Sequence, residues 1–572
     1  MSKKLSANEP LKVNSNYLRG NLANEIADVS TGGITEDSIQ LIKFHGAYVQ
    51  DDRDVRAGRR KKKLEKSYSF LIRVRVPGGV ATSDQWLQMD RIADELANGT
   101  LKLTTRQAFQ LHGVIKRNLK RSIQEINQAA MDTIAACGDV NRNVMANPNP
   151  DLSFAHADAL KLAEDISAHL TPQTRAYHEI WLDEEKVISS EEEQEPIYGK
   201  TYLPRKFKIT VAVPPSNDVD IYAHCLSFVA IIDGDKVVGY NIAVGGGMGM
   251  THGQTATFPR TADIIGFCTP EQAVDVAEKV VLVQRDFGDR TDRKHSRLKY
   301  TVEDMGADGF LAKLNEYLGY DLEPARPFEF THNGDRFGWV EDTNGNSHLT
   351  LFVQGGRVID KPGSQMKTGL REIAKIHKGD FRLTANQNVM LANITPETRP
   401  QIEALLEKYQ ISESHVASAL RLNSIACVSL PTCGLALAEA ERFLPDVITE
   451  LEEVIEEAGL RHDAITIRMT GCPNGCGRPF LGEIGFVGRA PGKYNVYLGA
   501  GFHGERLNKL YRESFPAEKI KDLLKPIIKQ YATEREDGEH FGDFCVRKGF
   551  VAATTAGNNF HANIDTENLS KV

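Results

Sequence analysis

Four of the eight cysteines are spaced as a ligand set. Cys427-Val-Ser-Leu-Pro-Thr-Cys433 is a C-x5-C pair and Cys472-Pro-Asn-Gly-Cys476 a C-x3-C pair, with 38 residues between them. Cys137, Cys225, Cys268 and Cys545 stand apart without such spacing. In a reducing compartment, clustered thiols bind metal or do redox chemistry more readily than they form disulfides. Four thiolates suit either tetrahedral zinc or an iron–sulfur cluster. Structural zinc ribbons use tighter C-x2-C or C-x4-C knuckles, whereas these wider loops leave room for a cubane. Pro431, Pro473, Gly475 and Gly477 flank the thiols and favour turns that aim backbone N–H groups at sulfur, which raises a reduction potential. A cluster is the preferred reading; a non-catalytic protein that uses the four thiolates for structural zinc or as a cluster-based sensor is the alternative.

The elements that must hold these thiols belong to a duplicated plan. Gly99-Thr-Leu-Lys-Leu-Thr-Thr-Arg-Gln107 echoes Gly379-Asp-Phe-Arg-Leu-Thr-Ala-Asn-Gln387, 280 positions later. Each follows an alternating strand, a glycine turn and a helical stretch: Ser69 to Val76 then Gln85 to Ala97, and His348 to Val353 then Lys367 to His377. Tyr240-Asn-Ile-Ala-Val-Gly-Gly-Gly247 echoes Tyr494-Asn-Val-Tyr-Leu-Gly-Ala-Gly501 in the same order. Small unit, large unit, small unit, large unit predicts two halves about a pseudo-twofold axis, with ligands in the cleft between them. The copies differ in one telling place. Where the second has Cys472-Pro-Asn-Gly-Cys476, the first has Val213-Pro-Pro-Ser-Asn217, preceded by the basic Arg205-Lys206-Phe207-Lys208. One half supplies thiols and the other positive charge.

Composition bounds the rest. At roughly 150 residues per domain, 572 residues allow about four domains, and 41% hydrophobic with 26% charged residues is ordinary for a folded chain. Sixty-nine Lys and Arg against 77 Asp and Glu give −8, which leaves no support for nucleic-acid binding. No apolar run approaches the roughly 18–20 residues of a membrane span, and MSKKLSANEP lacks the apolar core of a secretory signal, so a cytoplasmic protein is expected. Arg56 to Lys66 is strongly basic; it reads as a solvated arm or as a docking site for an acidic redox partner. The glycine run Val244 to Met250 does not fit the dinucleotide fingerprint G-x-G-x-x-G, and its echo at Leu498-Gly-Ala-Gly501 makes it a repeated structural turn. With no flavin or nicotinamide fingerprint, electrons must come from another protein.

Thr470-Gly-Cys-Pro-Asn-Gly-Cys-Gly-Arg-Pro-Phe-Leu-Gly-Glu-Ile-Gly-Phe486 resembles the sirohaem and 4Fe–4S motif of sulfite and nitrite reductases, and the resemblance runs from Ser15 to about residue 555. It implies that Cys427, Cys433, Cys472 and Cys476 ligate one 4Fe–4S cluster, and that Cys476 also bridges to the sirohaem iron. It further implies six-electron reduction of sulfite to sulfide, with electrons from an NADPH-oxidising flavoprotein; nitrite reduction to ammonia on the same cofactors is the alternative.

Sirohaem carries eight carboxylates and sulfite is a dianion, so the site needs desolvated cations. The resemblance assigns Arg73, Arg142, Lys206 and Lys208 to the open face of the iron, where they bind sulfite oxygens and relay protons. Arg106 and His112 are assigned to cofactor contact, although His112 also reads as an ordinary buried histidine. Nitrite members of the family show Lys-x-Asn where this chain has Lys206-Phe-Lys208, which favours sulfite. The expected fold class is α+β and internally duplicated, with two small ferredoxin-like-type α/β units plus two larger mixed α/β domains about a pseudo-twofold axis. The expected divisions are 1–66, a basic arm that could dock a partner; 67–145, the first small unit; 146–345, the first large domain with the cationic side; 346–420, the second small unit; and 421–572, the second large domain with the cysteines.

Overall fold

The computed structural model describes residues 4–149, 153–184, 193–342, 344–411, 416–567 and 569–571. Its large domains repeat one topology. In the first, the strands run Asp263–Cys268, Lys236–Val244, Leu226–Asp233, Ile209–Ala212 across the sheet. In the second, Lys509–Pro516, Lys493–Leu498, Ile484–Ala490 and Ile467–Thr470 follow the same order, with Ser424–Ala426 added outside the last. Taken in chain order, these four strands in each domain begin with a parallel pair and continue antiparallel, so the sequence echo at Tyr240 and Tyr494 is an echo of equivalent strands. The first six residues of Leu226–Asp233 are all buried, as expected of a strand covered on both faces. Its covers include the helices Phe154–His169 and Ala273–Phe287.

The second large domain has its own core. The helix Leu444–Glu457 buries Leu444, Val447, Ile448, Leu451, Val454 and Ile455, the i, i+3, i+4 stripe of an amphipathic helix. Among the described residues no helix is long and apolar enough to cross a membrane.

The small units interlock rather than stand side by side. Each is a five-stranded sheet, and each borrows its last strand from the other. Val80–Thr82, just past the first glycine turn, pairs with Asp380–Leu383 of the second unit. Arg357–Val358, just past the second glycine turn, pairs with Leu101–Leu103 of the first. The chain crosses at Gly79 and Gly356, both at positive φ, where an added Cβ would collide with backbone carbonyls of the opposite unit. The first helix then starts from a capping box, Thr82 with Gln85.

The N-terminal segment is more than an arm. Leu18, Leu22, Leu41, Ile42 and Phe44 enter the main core, and Ala47–Asp51 forms the outer strand of the first small sheet, paired with Tyr68–Arg73. The basic run forms a helix, Arg53–Lys61, with no buried residue.

Candidate active site

The thiols occupy loops at the ends of adjacent parallel strands. Ser424–Ala426 pairs with Ile467–Thr470, and Cys427 and Cys472 follow these two strands. Cys472 is buried, Cys427 and Cys433 are half-buried, and Cys476 is exposed. The backbone N–H of Gly471 donates to Cys427 Sγ at 3.4 Å, Asn474 Nδ2 donates to Cys472 Sγ at 3.5 Å, and the N–H groups of Leu435 and Ala436 point at Cys433. Burial, then the neighbouring thiols, push the Cys427 thiol well up and that of Cys472 up to about 12. Four thiols crowded like this become thiolates only with a cationic partner to share.

Among the described residues no group of three or more His, Cys, Asp or Glu closes around a single metal ion, yet the four sulfurs lie near enough to perturb one another. Four thiols gathered from two loops are a donor set that fits an iron–sulfur cluster. Gly471 makes the close packing possible, since a Cβ there would overlap Ser429 Oγ across the loop pair.

Opposite lies the first half's positive charge. Lys206 and Lys208 alternate along the segment leading into Ile209–Ala212, with Arg142 beside it through a backbone bond from Arg142 N to Phe207 O. Burial, then Arg142, Arg297 and Arg205, lower Lys206 to about 7; burial, then Lys206, Arg106 and Arg297, lower Lys208 well below its ordinary value. Cys476 is close enough to pull both lysines the other way. The thiol of one half and the ammonium groups of the other thus lie close enough to act on one another.

Arg73 Nε and Nη2 donate to Gln110 Oε1 at 3.1 and 2.8 Å, and its Nη1 donates to Cys137 Sγ at 3.4 Å. Arg142 Nη2 donates to Gly138 O and to Tyr48 Oη, and its Nε is buried without a partner. Arg75, two residues from Arg73, is instead paired with Asp132 at 2.5 Å. Arg106 is buried, donating to Asn143 O and Ile209 O, with Nε unpartnered. His112 has both ring nitrogens engaged, Nδ1 with Gln50 and Nε2 with Gln110, and burial keeps it neutral. It touches Arg73 only through Gln110.

Several pocket residues escaped the sequence reading. Arg297 and Lys299 join the cation cluster: burial, then Arg297 and Lys206, lower Lys299. Arg297 caps and Lys299 lies in the helix Leu298–Met305, and no local spacing in that stretch signalled them. Tyr48 and Gln50 come from the outer strand Ala47–Asp51 and carried no signal beyond that strand's alternation.

The glycine run closes the two halves. Lys299 Nζ donates to Gly247 O, Gly249 O and Phe258 O, and Met250 N donates to Pro473 O at 2.9 Å. Gly475, at φ +65, has Met248 O 2.7 Å from where its Cβ would sit. The run is a packing surface for the Cys472–Cys476 loop.

The basic helix lies against the other cysteine loop. Arg53 N donates to Pro431 O, and Arg53 Nη1 donates to the carbonyls of Cys433, Gly434 and Ala436 at 3.1–3.4 Å. Arg442 and Asp54 form a second tie at 2.8 Å. Beside it, Leu435 and Leu437 are 68% and 41% exposed.

Comparison with known proteins follows the same division. Residues 137–322 match the family described as Nitrite and sulphite reductase 4Fe-4S domain, and residues 62–129 and 340–409 each match the Nitrite/Sulfite reductase ferredoxin-like half domain. The first match covers the large domain that carries the cations; the clustered cysteines lie in its structural repeat. The "Sulfite reductase [NADPH] hemoprotein beta-component" of Anoxybacillus flavithermus is 59% identical over 554 residues, covering 97% of each chain. The protein of that name from Staphylococcus haemolyticus is 56% identical over 562 residues, covering 98% of each. Among solved structures, the Mycobacterium tuberculosis NirA protein superposes with a TM-score of 0.78 over 95% of this chain and 97% of that one, at 24% identity, which shows a shared fold.

Proposed function

Because the chain belongs to the nitrite and sulphite reductase family, we propose that it reduces sulfite to sulfide on a sirohaem coupled to one 4Fe–4S cluster. The reaction consumes six electrons and six protons; three S–O bonds break and each oxygen leaves as water. The observation that carries this reading is the meeting of Lys206 and Lys208 from one half with Cys476 from the other. When bound, the two cofactors supply stored electrons and an iron that takes up the substrate.

The protein's own groups do the rest. Cys427, Cys433, Cys472 and Cys476 would hold the cluster, and Cys476, the exposed thiol, is the one placed to be shared with the haem. Arg106, buried with Nε unpartnered, would contact the cofactor carboxylates. Arg73, Arg142, Lys206 and Lys208 bind sulfite oxygens, with the guanidinium groups holding charge and the lysines moving protons. A lysine lowered to about 7 is suited to that work, because at neutral pH its Nζ both gives up and regains a proton. His112 acts at one remove, orienting Gln110 and through it Arg73.

Electrons arrive from an NADPH-oxidising flavoprotein subunit, in keeping with the "beta-component" in the names of the relatives. The apolar Leu435 and Leu437, which follow Cys433 in the stretch held by Arg53 of the basic helix, suit a partner with an acidic rim. Purified from sirohaem-competent cells, the protein should carry iron and sirohaem and, with an artificial reductant, turn over sulfite. A much larger kcat/KM for nitrite would make nitrite the substrate, and a colourless, iron-free preparation would sink the enzyme reading.

A further inference from the structure

The duplicated plan creates a second place equivalent to the active site. In the first copy the Thr104-Thr-Arg-Gln107 loop faces the cysteine loop, with Thr105 Oγ1 donating to Cys476 O at 3.0 Å. In the second copy the matching Thr384-Ala-Asn-Gln387 loop faces the thiol-free Val213–Asn217 segment, and a cavity of about 30 Å³ lies between them. Asn147, Asn149, Ser216, Asp218, Asp335 and Thr384 contribute to its lining. Its charge is the inverse of the first site. Where Arg106 stands in one copy, Asn386 stands in the other, and its Nδ2 donates to Asp335 Oδ1 at 2.8 Å and to Asp218 O at 3.0 Å.

The two carboxylates are not equally satisfied. Asp335 accepts from Thr384 Oγ1, Asn388 Nδ2 and Asn386 Nδ2, which uses both oxygens. Asp218, only 7% exposed, accepts from Asn147 Nδ2 on Oδ2, while its Oδ1 is buried with no partner. Burial, then Asp335, push the Asp218 carboxyl well up, toward its neutral form; a cation at this cavity of roughly one-atom size would reverse that and hold the carboxylate ionised. Arg336 lines the cavity and its charge reaches Asp218, but its side chain is exposed to solvent; His156, held down to about 4 by burial and then Arg336, supplies no charge. The neutral oxygens around it are those a hard cation prefers.

We propose that this cavity binds one hard, oxygen-seeking metal cation, with Asp218 Oδ1 as its principal ligand. The ion ties together three stretches far apart in sequence: residues 147–149, the Val213–Asp218 segment and the Asp335 turn that leads into Gly338–Glu341. It makes the second site a structural counterpart of the first, taking a cation where the other takes anions.

The test uses the cofactor-loaded enzyme, desalted into a chelator-treated tetramethylammonium buffer. CaCl2, MgCl2, KCl and NaCl are then titrated separately at constant chloride while thermal unfolding is followed, and retained metal is measured by mass spectrometry. At least one cation should raise Tm saturably and be retained in an equimolar amount. Asp218→Asn should weaken that response by about tenfold or more while leaving the visible spectrum of the cofactors unchanged. Should Asp218→Asn not accumulate as folded protein, Thr384→Val is read the same way. The proposal fails if no cation outperforms tetramethylammonium in the wild type, or if the variant responds at the same concentrations.

Discussion

Lys206 and Asp218 pose the same problem with opposite sign: an ionisable group held out of water, where burial works against its charged form. At Lys206 the answer is a substrate. Burial and three arginines lower its ammonium to about 7, so it is cationic below that pH and neutral above it. An arriving sulfite reverses the balance and raises the pKa again. The alkaline limb of kcat/KM, which reports the empty pocket, should therefore fall near pH 7, and that of kcat, which reports the occupied one, should lie higher. Lys206→Met should lower kcat/KM for sulfite by about a hundredfold, remove this limb and leave the cofactor spectrum in place. Steady-state kinetics across pH, with an artificial reductant, checks all three. Loss of the cofactor in this variant would mean that the lysine holds the haem and not the substrate. Cys476→Ser should abolish sulfite turnover; normal turnover would remove the shared-thiolate assignment.

Loops and helices decide whether such residues meet. The Cys427–Cys433 and Cys472–Cys476 loops approach so closely that Gly471 has no room for a methyl group. Gly471→Ala should thus spread the thiols and lower bound iron, while far-ultraviolet circular dichroism stays near wild type. The basic helix Arg53–Lys61 acts from outside. Reversing Arg59, Arg60 and Lys61 to glutamate should slow electron delivery by an acidic protein donor and weaken its salt dependence, but leave turnover with a small uncharged reductant unchanged. Equal losses with both reductants would show that the helix stabilises the cluster loop and does not dock a partner. At this scale the sequence was readable wherever a signal was local. Cysteine spacing, the two glycine turns and the Lys206-Phe-Lys208 alternation lie in short windows. The N-terminal strand Ala47–Asp51 was missed because five residues carry too little periodicity to stand out, and with it went Tyr48 and Gln50. Arg297 and Lys299 were missed for a different reason: nothing local says that their segment folds back over the glycine run.

For the molecule as a whole, the duplication was legible as two halves, but not the exchange of Val80–Thr82 and Arg357–Val358, because strand pairing across 250 residues or more leaves no mark in either strand. That exchange makes the halves inseparable, and buried ion groups sit on the seams. Asp220 of the first large domain accepts from Arg468 at 2.7 Å and from Arg478, both of the second, and Arg478 continues to Thr105 O and Ala385 O of the two small units. Glu441 takes Lys102 and Arg357, one from each small unit, at 2.7 Å each, and donates its backbone N–H to Cys427 O. Burial pushes the Glu441 carboxyl up, yet the two cations outweigh it and hold it at about 2. A carboxyl whose folded value lies below its unfolded one stabilises the fold above the unfolded value and loses that contribution as pH falls toward the folded one. Here the window runs from about pH 4.5 down to about 2, and the contribution is about 3 kcal/mol. Glu441→Gln leaves Lys102 buried without its partner, so at pH 7 it should lower stability by about 3–5 kcal/mol. In urea unfolding of the cofactor-free protein, the gap between wild type and variant should narrow steadily between pH 4.5 and 2. A gap that stays constant would place the acid sensitivity of the assembly elsewhere and free Glu441 of its role in joining the small units to the cluster domain.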